Sequence, residues 1–135
     1  MEGKPKVALT FAPYQGDNLV RRETIAQDIV KVGKDPRSHL RVDDELASRM
    51  HAVIEVGNPN DITLIDLGNE PGTLVNGQRV NKCKVRAGDQ IQIGSTLIVL
   101  ESSWSMLART KSGETRWERA VAEARRITAR SAGDE

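Results

Sequence analysis

Ser48 and His51 lie three residues apart in the segment ASRMHAV. A hydroxyl beside an imidazole is the core of many hydrolases, in which the imidazole takes the proton of the nucleophile. Such a site also needs a third group that orients the base, and the sequence around Ser48 lacks the nucleophile-elbow pattern G-x-S-x-G. The other interpretation is that the two side chains bind each other or the backbone within one loop. We therefore expect that the chain is not an enzyme.

The pair Gly33-Lys34 is a second candidate, because Gly-Lys is part of the phosphate-binding P-loop. A P-loop also needs a glycine five positions before Gly33 and a Ser or Thr directly after the lysine. Asp28 and Asp35 occupy those two positions. The sequence therefore excludes a P-loop.

Composition and the remaining reactive residues narrow the function further. The 20 basic and 19 acidic residues leave a net charge of +1, so no global field selects nucleic acid. His39 and His51 lack the Cys, His or carboxylate spacing of a metal site, and we expect no metal and no cofactor. Cys83 is the only cysteine, which predicts a small strand residue rather than a nucleophile.

The ends of the chain and its hydropathy bear on its compartment. No apolar run approaches the ~18 residues that span a bilayer, so we expect no membrane insertion by this chain. The N-terminal MEGKPKVALTF has no long apolar core after its lysines and does not resemble a signal peptide. With a single cysteine that cannot cross-link the fold, the expected compartment is the cytoplasm.

Short apolar runs separated by turn residues make up most of the sequence. They predict strands that lie between clusters of Gly, Pro, Asn and Asp, without intervening helices. Such a series favours an all-β sandwich or barrel. The predicted strands are KVALTFA (6–12), IVKVG (29–33), HLRV (39–42), MHAVIEV (50–56), ITLIDL (62–67), RVNKCKV (79–85), IQIG (91–94) and TLIVLE (96–101).

The stretch DLGNEPGTLVNG, residues 66–77, predicts the exit of one strand, a tight loop and the entry to the next. Asn76-Gly77 is a strong hairpin signal. At the centre of the loop stand Glu70 and Pro71, an anion and a residue with no backbone N–H. A loop that presents hydrogen-bond donors to a ligand would be expected to carry Ser, Thr or Asn there.

Four segments in series resemble the forkhead-associated (FHA) domain family over about residues 5–101. The family pattern is roughly G-R, then S-R-x-H, then D-L-x-S-x-N-G-T-x-V-N-G, then G-D-x-I-x-I-G. The corresponding segments here are Gly33-Lys34, Ser48–His51, Asp66–Gly77 and Gly88–Gly94. The resemblance implies a β-sandwich of two sheets and about eleven strands, whose loops at one end bind phosphothreonine peptides downstream of Ser/Thr kinases.

The resemblance also implies site residues. The phosphopeptide-binding positions, carried over from the family, are Lys34, Ser48, Arg49, Glu70 and Pro71. The positions expected to support the site are Gly33, His51, Gly72, Thr73 and Asn76.

Three of the five binding positions depart from the family pattern. Lys34 keeps a positive charge but lacks the planar fork with which arginine grips phosphate. Glu70 places an anion at a position that often touches phosphate, and Pro71 replaces the asparagine that clamps the peptide backbone. A carboxylate ~4 Å from a phosphate costs about 4 kcal/mol at a surface-like dielectric, if Glu70 faces the site. Arg37, Arg41 or Arg49 could instead rescue phosphate binding.

The last part of the sequence differs from the rest. ETRWERAVAEARRITAR, residues 114–130, carries apolar side chains at helical spacing and predicts an amphipathic helix. We therefore divide the chain into an FHA-like domain, 1–101, and a linker with a C-terminal helix, 102–135. The helix is expected to pack on its own sandwich or to contact a partner.

These observations favour a non-enzymatic protein–protein interaction module. The primary interpretation is a scaffold or signalling part of a larger assembly, whose partner binds with weak or no phosphothreonine dependence. The alternative is a phosphothreonine-peptide reader downstream of a Ser/Thr kinase, which is the usual function of the family.

Overall fold

The computed structural model describes residues 7–68 and 70–105 of the 135-residue chain. Within them it forms twelve strands. The strands are β1 (Val7–Gln15), β2 (Asn18–Leu19), β3 (Glu23–Ile25), β4 (Ile29–Gly33), β5 (Leu40–Arg41), β6 (Ala52–Asn58), β7 (Asp61–Asp66), β8 (Thr73–Val75), β9 (Gln78–Val80), β10 (Lys82–Val85), β11 (Gln90–Ile93) and β12 (Thr96–Ser105).

Two sheets pack face to face. The seven-stranded sheet has the order β2-β1-β12-β11-β8-β9, with β3 also paired to β1, and the five-stranded sheet has the order β10-β7-β6-β4-β5. The predicted all-β sandwich of two sheets is therefore confirmed. The twelve strands among the described residues agree with the number of about eleven that the resemblance implies. The hydrophobic pattern alone predicts fewer, because two-residue strands such as β2 and β5 have almost no pattern of their own.

The core lies between the sheets and follows from period-two alternation. Along β6, Ala52, Ile54 and Val56 are buried, whereas the residues between them are more exposed, as expected for a strand with one face on the core. Phe11 of β1 and Leu100 of β12 are fully buried from the opposite sheet. Each such side chain contributes about 1.5–3 kcal/mol of burial free energy, so the rigid sandwich can hold loops of irregular sequence.

The predicted strand RVNKCKV (79–85) is in fact two strands. Asn81 separates β9 from β10, and these two strands belong to different sheets. The carbonyl of Asn81 accepts a hydrogen bond of 2.8 Å from the N–H of Asp66 at the end of β7. The half-buried Cys83 of β10 packs against the core, and burial raises the pKa of its thiol.

Strand pairing brings three loops to one end of the sandwich. Val32 of β4 pairs with Ala52 of β6, and Ala52 pairs with Asp66 of β7. Because these neighbours are antiparallel, the end of β4, the start of β6 and the end of β7 lie side by side. The segments 34–39 and 42–51 and the residues 67, 68 and 70–72 therefore meet at the same edge.

Asp44 fastens one of these loops to the turn between β11 and β12. Its carboxylate accepts hydrogen bonds from the N–H of Leu46, the N–H and hydroxyl of Ser95, and the hydroxyl of Thr96, at 2.8–3.0 Å. Burial alone would raise the pKa of Asp44, but the hydrogen bonds outweigh it and hold the pKa below its ordinary value. The ionised form therefore stabilises the fold.

Asp44→Asn should lower the free energy of unfolding by about 2 kcal/mol at pH 7, because the carboxylate oxygens lose charge-assisted bonds. A carboxyl whose pKa is depressed by folding contributes stability above its unfolded pKa and loses it as the pH falls through the folded pKa. The difference between wild type and variant should therefore shrink as the pH falls below the ordinary pKa of an aspartate and through the lower pKa of Asp44 in the fold. Urea unfolding across that range measures it, and a difference independent of pH would contradict the assignment.

Two sequence predictions concern the C-terminal part. The strand β12 continues to Ser105, past the domain boundary predicted at residue 101. The predicted helix at 114–130 lies outside the described residues. Within 7–68 and 70–105, no helix has the length and hydropathy of a membrane-spanning segment.

Candidate functional site

Gly33 at the end of β4 allows two loops to touch. A Cβ at this position would lie 2.1 Å from the carbonyl oxygen of Arg49, a distance that no side chain tolerates. In this close approach the N–H of Lys34 donates to the carbonyl of Ser48 at 2.9 Å, and the N–H of Asp35 donates to the carbonyl of Arg49 at 3.1 Å. Backbone pairing thus places Lys34 beside Ser48.

His51 joins the Ser48 loop to the loop that precedes β8. The ring is fully buried. Its Nδ1 accepts a bond of 3.0 Å from the N–H of Ser48, and its Nε2 lies 2.9 Å from the carbonyl oxygen of Gly72. Since an N–H only donates and a carbonyl only accepts, Nε2 carries the proton and donates to Gly72. The neutral imidazole therefore links the two loops and is not arranged as a base for the Ser48 hydroxyl.

Asp66, at the end of β7, binds both ends of the loop between β7 and β8. One of its oxygens accepts a 2.7 Å bond from the hydroxyl of the fully buried Thr73, and the other accepts a 2.9 Å bond from the N–H of Gly68. Gly72 has a φ of +91°, and a Cβ there would meet the Arg79 guanidinium at 2.6 Å. Glycine at 72 therefore permits both the turn and the passage of Arg79 across it.

Glu70 turns toward Arg79. Their side chains form an ion pair of 3.1 Å, in which Glu70 is 85% exposed. The peptide bond between Glu70 and Pro71 is cis. The carboxylate of Glu70 is thus turned to a cation and to solvent, which screen its charge.

Asp35, in the loop between β4 and β5, forms ion pairs with two arginines. Arg37 donates its backbone N–H to Oδ1 at 2.8 Å and its guanidinium to both oxygens at 3.3 Å, and Arg49 donates to Oδ2 at 2.9 Å. The side-chain hydrogen bond from Arg37, with its backbone bond and the bond from Arg49, holds the pKa of Asp35 well below its usual range. Asp35 is therefore ionised at neutral pH.

The other site residues predicted from the sequence lie as follows. Asn76, with a φ of 52°, forms the turn between β8 and β9 with Gly77. Its side-chain amide joins that turn to Asp89 and to Gln90 at the start of β11, at 2.9–3.0 Å. Of the three arginines proposed to rescue phosphate binding, the structure brings Arg37 and Arg49 together, whereas Arg41 lies on β5.

Three side chains that bind the loops of the candidate site are not among the residues predicted from the sequence: Asp35, Asp66 and Arg79. Asp35 could have been found from its position two residues before Arg37, the spacing of a turn in which an aspartate accepts a backbone N–H. No sequence signal indicates Arg79, because the register that pairs it with Leu74 and brings it near Glu70 is a tertiary feature. Asp66 precedes a glycine loop and is a turn-type acceptor.

Three apolar side chains are exposed on the same loops. Leu46 is 56% exposed and Met50 57%, on either side of Ser48, and Leu67 is 43% exposed. The N–H of Leu67 donates to the carbonyl of His51 at 3.0 Å, which places the backbone of Leu67 beside that of His51. Half of the six large apolar side chains that are exposed among the described residues thus lie on these loops. We call the surface formed by residues 34–39, 42–51 and 67–72, with Asn69 undescribed, the loop face.

The loop face carries groups that can bind a partner, but its described groups do not form a reaction centre. Within the described part of the chain, no three His, Cys, Asp or Glu residues are placed to hold a metal ion. The ammonium of Lys34 forms no ion pair with a described residue, whereas Arg37, Arg49 and Arg79 do. The face therefore combines apolar side chains, paired charges and one cation without a counter-ion among the described residues.

Comparisons with known proteins agree with this geometry. A family model described as FHA domain matches residues 30–94. The glycogen accumulation regulator GarA of Mycobacterium tuberculosis is 32% identical over 99 residues, which cover 73% of this chain and 60% of GarA. The oxoglutarate dehydrogenase inhibitor of Corynebacterium jeikeium is 31% identical over 99 residues, which cover 73% of this chain and 68% of the inhibitor. The match thus spans less than two thirds of the mycobacterial relative.

Solved structures share the sandwich. The FHA domain of the CT664 protein from Chlamydia trachomatis superposes with a TM-score of 0.61 and 27% identity, covering 70% of this chain and 97% of that domain. The FhaA FHA domain, solved in complex with the intracellular domain of Rv3910, gives 0.60 and 25%, covering 67% and 97%. The chain therefore belongs to the FHA-domain family, and it is a non-enzymatic protein-interaction module.

Proposed function

We propose that the loop face binds a partner protein with weak or no dependence on phosphothreonine. The observation that carries this proposal is that the arginines on and beside the face are already paired: Arg37 and Arg49 with Asp35, and Arg79 of the neighbouring β9 with Glu70. A phosphate would have to compete with these carboxylates for its donors. Pro71 stands where a peptide-clamping amide would otherwise supply two hydrogen bonds.

The exposed apolar side chains supply an alternative source of affinity. Leu46, Met50 and Leu67 are each at least 43% exposed. Apolar anchors carry much of the binding energy of an interface, and these three exposed side chains lie on the same set of loops. The partner proposed here therefore presents a complementary apolar surface with a polar rim.

Relatives suggest the class of partner. The corynebacterial relative is named as an inhibitor of oxoglutarate dehydrogenase, and the mycobacterial relative as a regulator of glycogen accumulation. By analogy, we propose that this chain regulates a larger protein, such as a metabolic enzyme, by binding to it in the cytoplasm.

Titration with a degenerate library of phosphothreonine peptides tests the phosphate dependence. We expect no dissociation constant in the low micromolar range, because such a complex needs about 8 kcal/mol of binding free energy. An affinity of that strength that disappears on dephosphorylation would contradict the proposal.

Capture of the partner protein is the second part of the same test. Protein captured on the immobilised chain from its source cells should remain bound after phosphatase treatment of the lysate. Met50→Ser and Leu46→Ser should reduce capture about tenfold or more. Ile29→Ser is the matched control, since Ile29 is 50% exposed and lies at the start of β4, opposite the end that carries the loop face.

A phosphothreonine reader is the second candidate, and one observation favours it. Lys34 lies beside Ser48 through the 2.9 Å backbone bond, and its ammonium has no ion pair with a described residue. A lysine and a serine hydroxyl together bind phosphate as a point charge and a donor. Capture that is lost on phosphatase treatment and on Lys34→Gln would favour this candidate.

A further inference from the structure

The cluster of Asp35, Arg37 and Arg49 has an unusual distribution of exposure. The side chain of Asp35 is 11% exposed, whereas those of Arg37 and Arg49 are 87% and 74% exposed. The two arginines come from different loops, one before β5 and one before β6. The nearly buried carboxylate of Asp35 thus binds two exposed guanidinium groups at one point of the loop face.

The hydrogen-bond geometry determines which donors remain. Arg37 directs its Nε and one terminal nitrogen at the two oxygens of Asp35, both at 3.3 Å, so this edge of its guanidinium is filled. Arg49 contacts Asp35 with one terminal nitrogen at 2.9 Å. A two-nitrogen guanidinium edge is the shape that binds phosphate bidentately. Asp35 therefore occupies donors that the phosphate of a partner would use.

We propose that Asp35 is an internal anion that competes with the phosphate of a partner segment for Arg37 and Arg49. This inference rests on the proposed function, because it identifies a residue that makes the loop face weakly dependent on phosphothreonine. A phosphate gains the arginine donors only as far as their ion pairs with Asp35 open. The same carboxylate also repels a dianion that approaches the face.

Asp35→Asn tests the competition with little change in shape. Asparagine retains one oxygen that can accept the N–H of Arg37, which Oδ1 now accepts at 2.8 Å, so the turn has its acceptor. The variant removes the charge that holds both guanidiniums. We expect the affinity for the degenerate phosphothreonine library, measured by competition against a fluorescent member, to rise about fivefold.

Asp61→Asn is the matched control. Asp61 forms an ion pair with Lys84 at the opposite end of β6, so this variant makes the same change in net charge and also breaks an exposed ion pair. Its affinity for the library should equal that of wild type. An equal rise in both variants would show a general field effect and overturn the proposal, as would no rise in Asp35→Asn.

A second substitution protects the test against misfolding. Asp35→Ser can also accept the Arg37 N–H, and circular dichroism identifies which variant is folded; either folded variant decides the question. The ratio of variant to wild-type affinity tests the role of Asp35, whereas the wild-type affinity alone tests the proposed function. A tight wild-type complex would therefore refute the proposed function and leave the ratio to decide on Asp35.

Discussion

A triple variant, Lys34→Arg, Glu70→Thr and Pro71→Asn, should bind phosphothreonine peptides about a hundredfold more tightly than wild type, a gain of about 3 kcal/mol. Arginine restores the planar fork for phosphate. Threonine removes the anion and releases Arg79 from the ion pair that it forms with Glu70. Asparagine restores the side-chain donor and acceptor that proline lacks, each hydrogen bond contributing about 0.5–1.5 kcal/mol.

Calorimetric titration of the triple variant and of each single variant separates these contributions. The gain from Glu70→Thr should shrink at high salt, because it is electrostatic and Glu70 is 85% exposed. The gain from Pro71→Asn should depend little on salt. Glu55→Thr, which removes another exposed acid from β6, is the control for charge. A folded triple variant without added affinity would show that the loop geometry itself, and not these three side chains, excludes the phosphopeptide.

Much of the fold could be predicted from the sequence, because its signals are local. Strands such as Ile29–Gly33 and Ala52–Asn58 alternate with the core face, and Asn76-Gly77 specified its turn through positive φ angles. The break at Asn81 was not visible, because the residues on both sides alternate in the same way. Which sheet a short strand joins depends on long-range pairing, and a single alternating run does not encode that pairing.

The candidate site, like the fold, could be predicted from the sequence only in part. The positions of the loops could be predicted, because they are marked by residues that the local backbone geometry requires. One example is Gly33, where any side chain would collide with the Arg49 carbonyl. The partners of the charged side chains could not be predicted. Asp35 meets Arg49 only because two loops approach each other, and Glu70 meets Arg79 only through the hairpin register. Ion-pair partners of this kind depend on tertiary geometry rather than on residue type.

His51→Ala should lower the free energy of unfolding by about 3–5 kcal/mol, the range for loss of a buried side chain that also leaves polar groups unpaired. Alanine leaves a cavity where the ring is fully buried. It also leaves the N–H of Ser48 and the carbonyl of Gly72 without their 2.9–3.0 Å partners. Chemical denaturation at neutral pH measures the loss.

The chain contains a matched control in its other histidine. His39 is half-buried and accepts one 2.9 Å bond from the N–H of Lys31 through Nδ1, so His39→Ala should cost only about 1 kcal/mol. His51→Phe separates the two parts of the larger effect, because an aromatic ring fills the space but makes neither hydrogen bond. If His51→Phe is as stable as wild type, the ring acts by packing alone. If it loses about 2 kcal/mol or more, the two hydrogen bonds are what holds the Ser48 loop against the Gly72 loop, and partner capture by the loop face should fall with them.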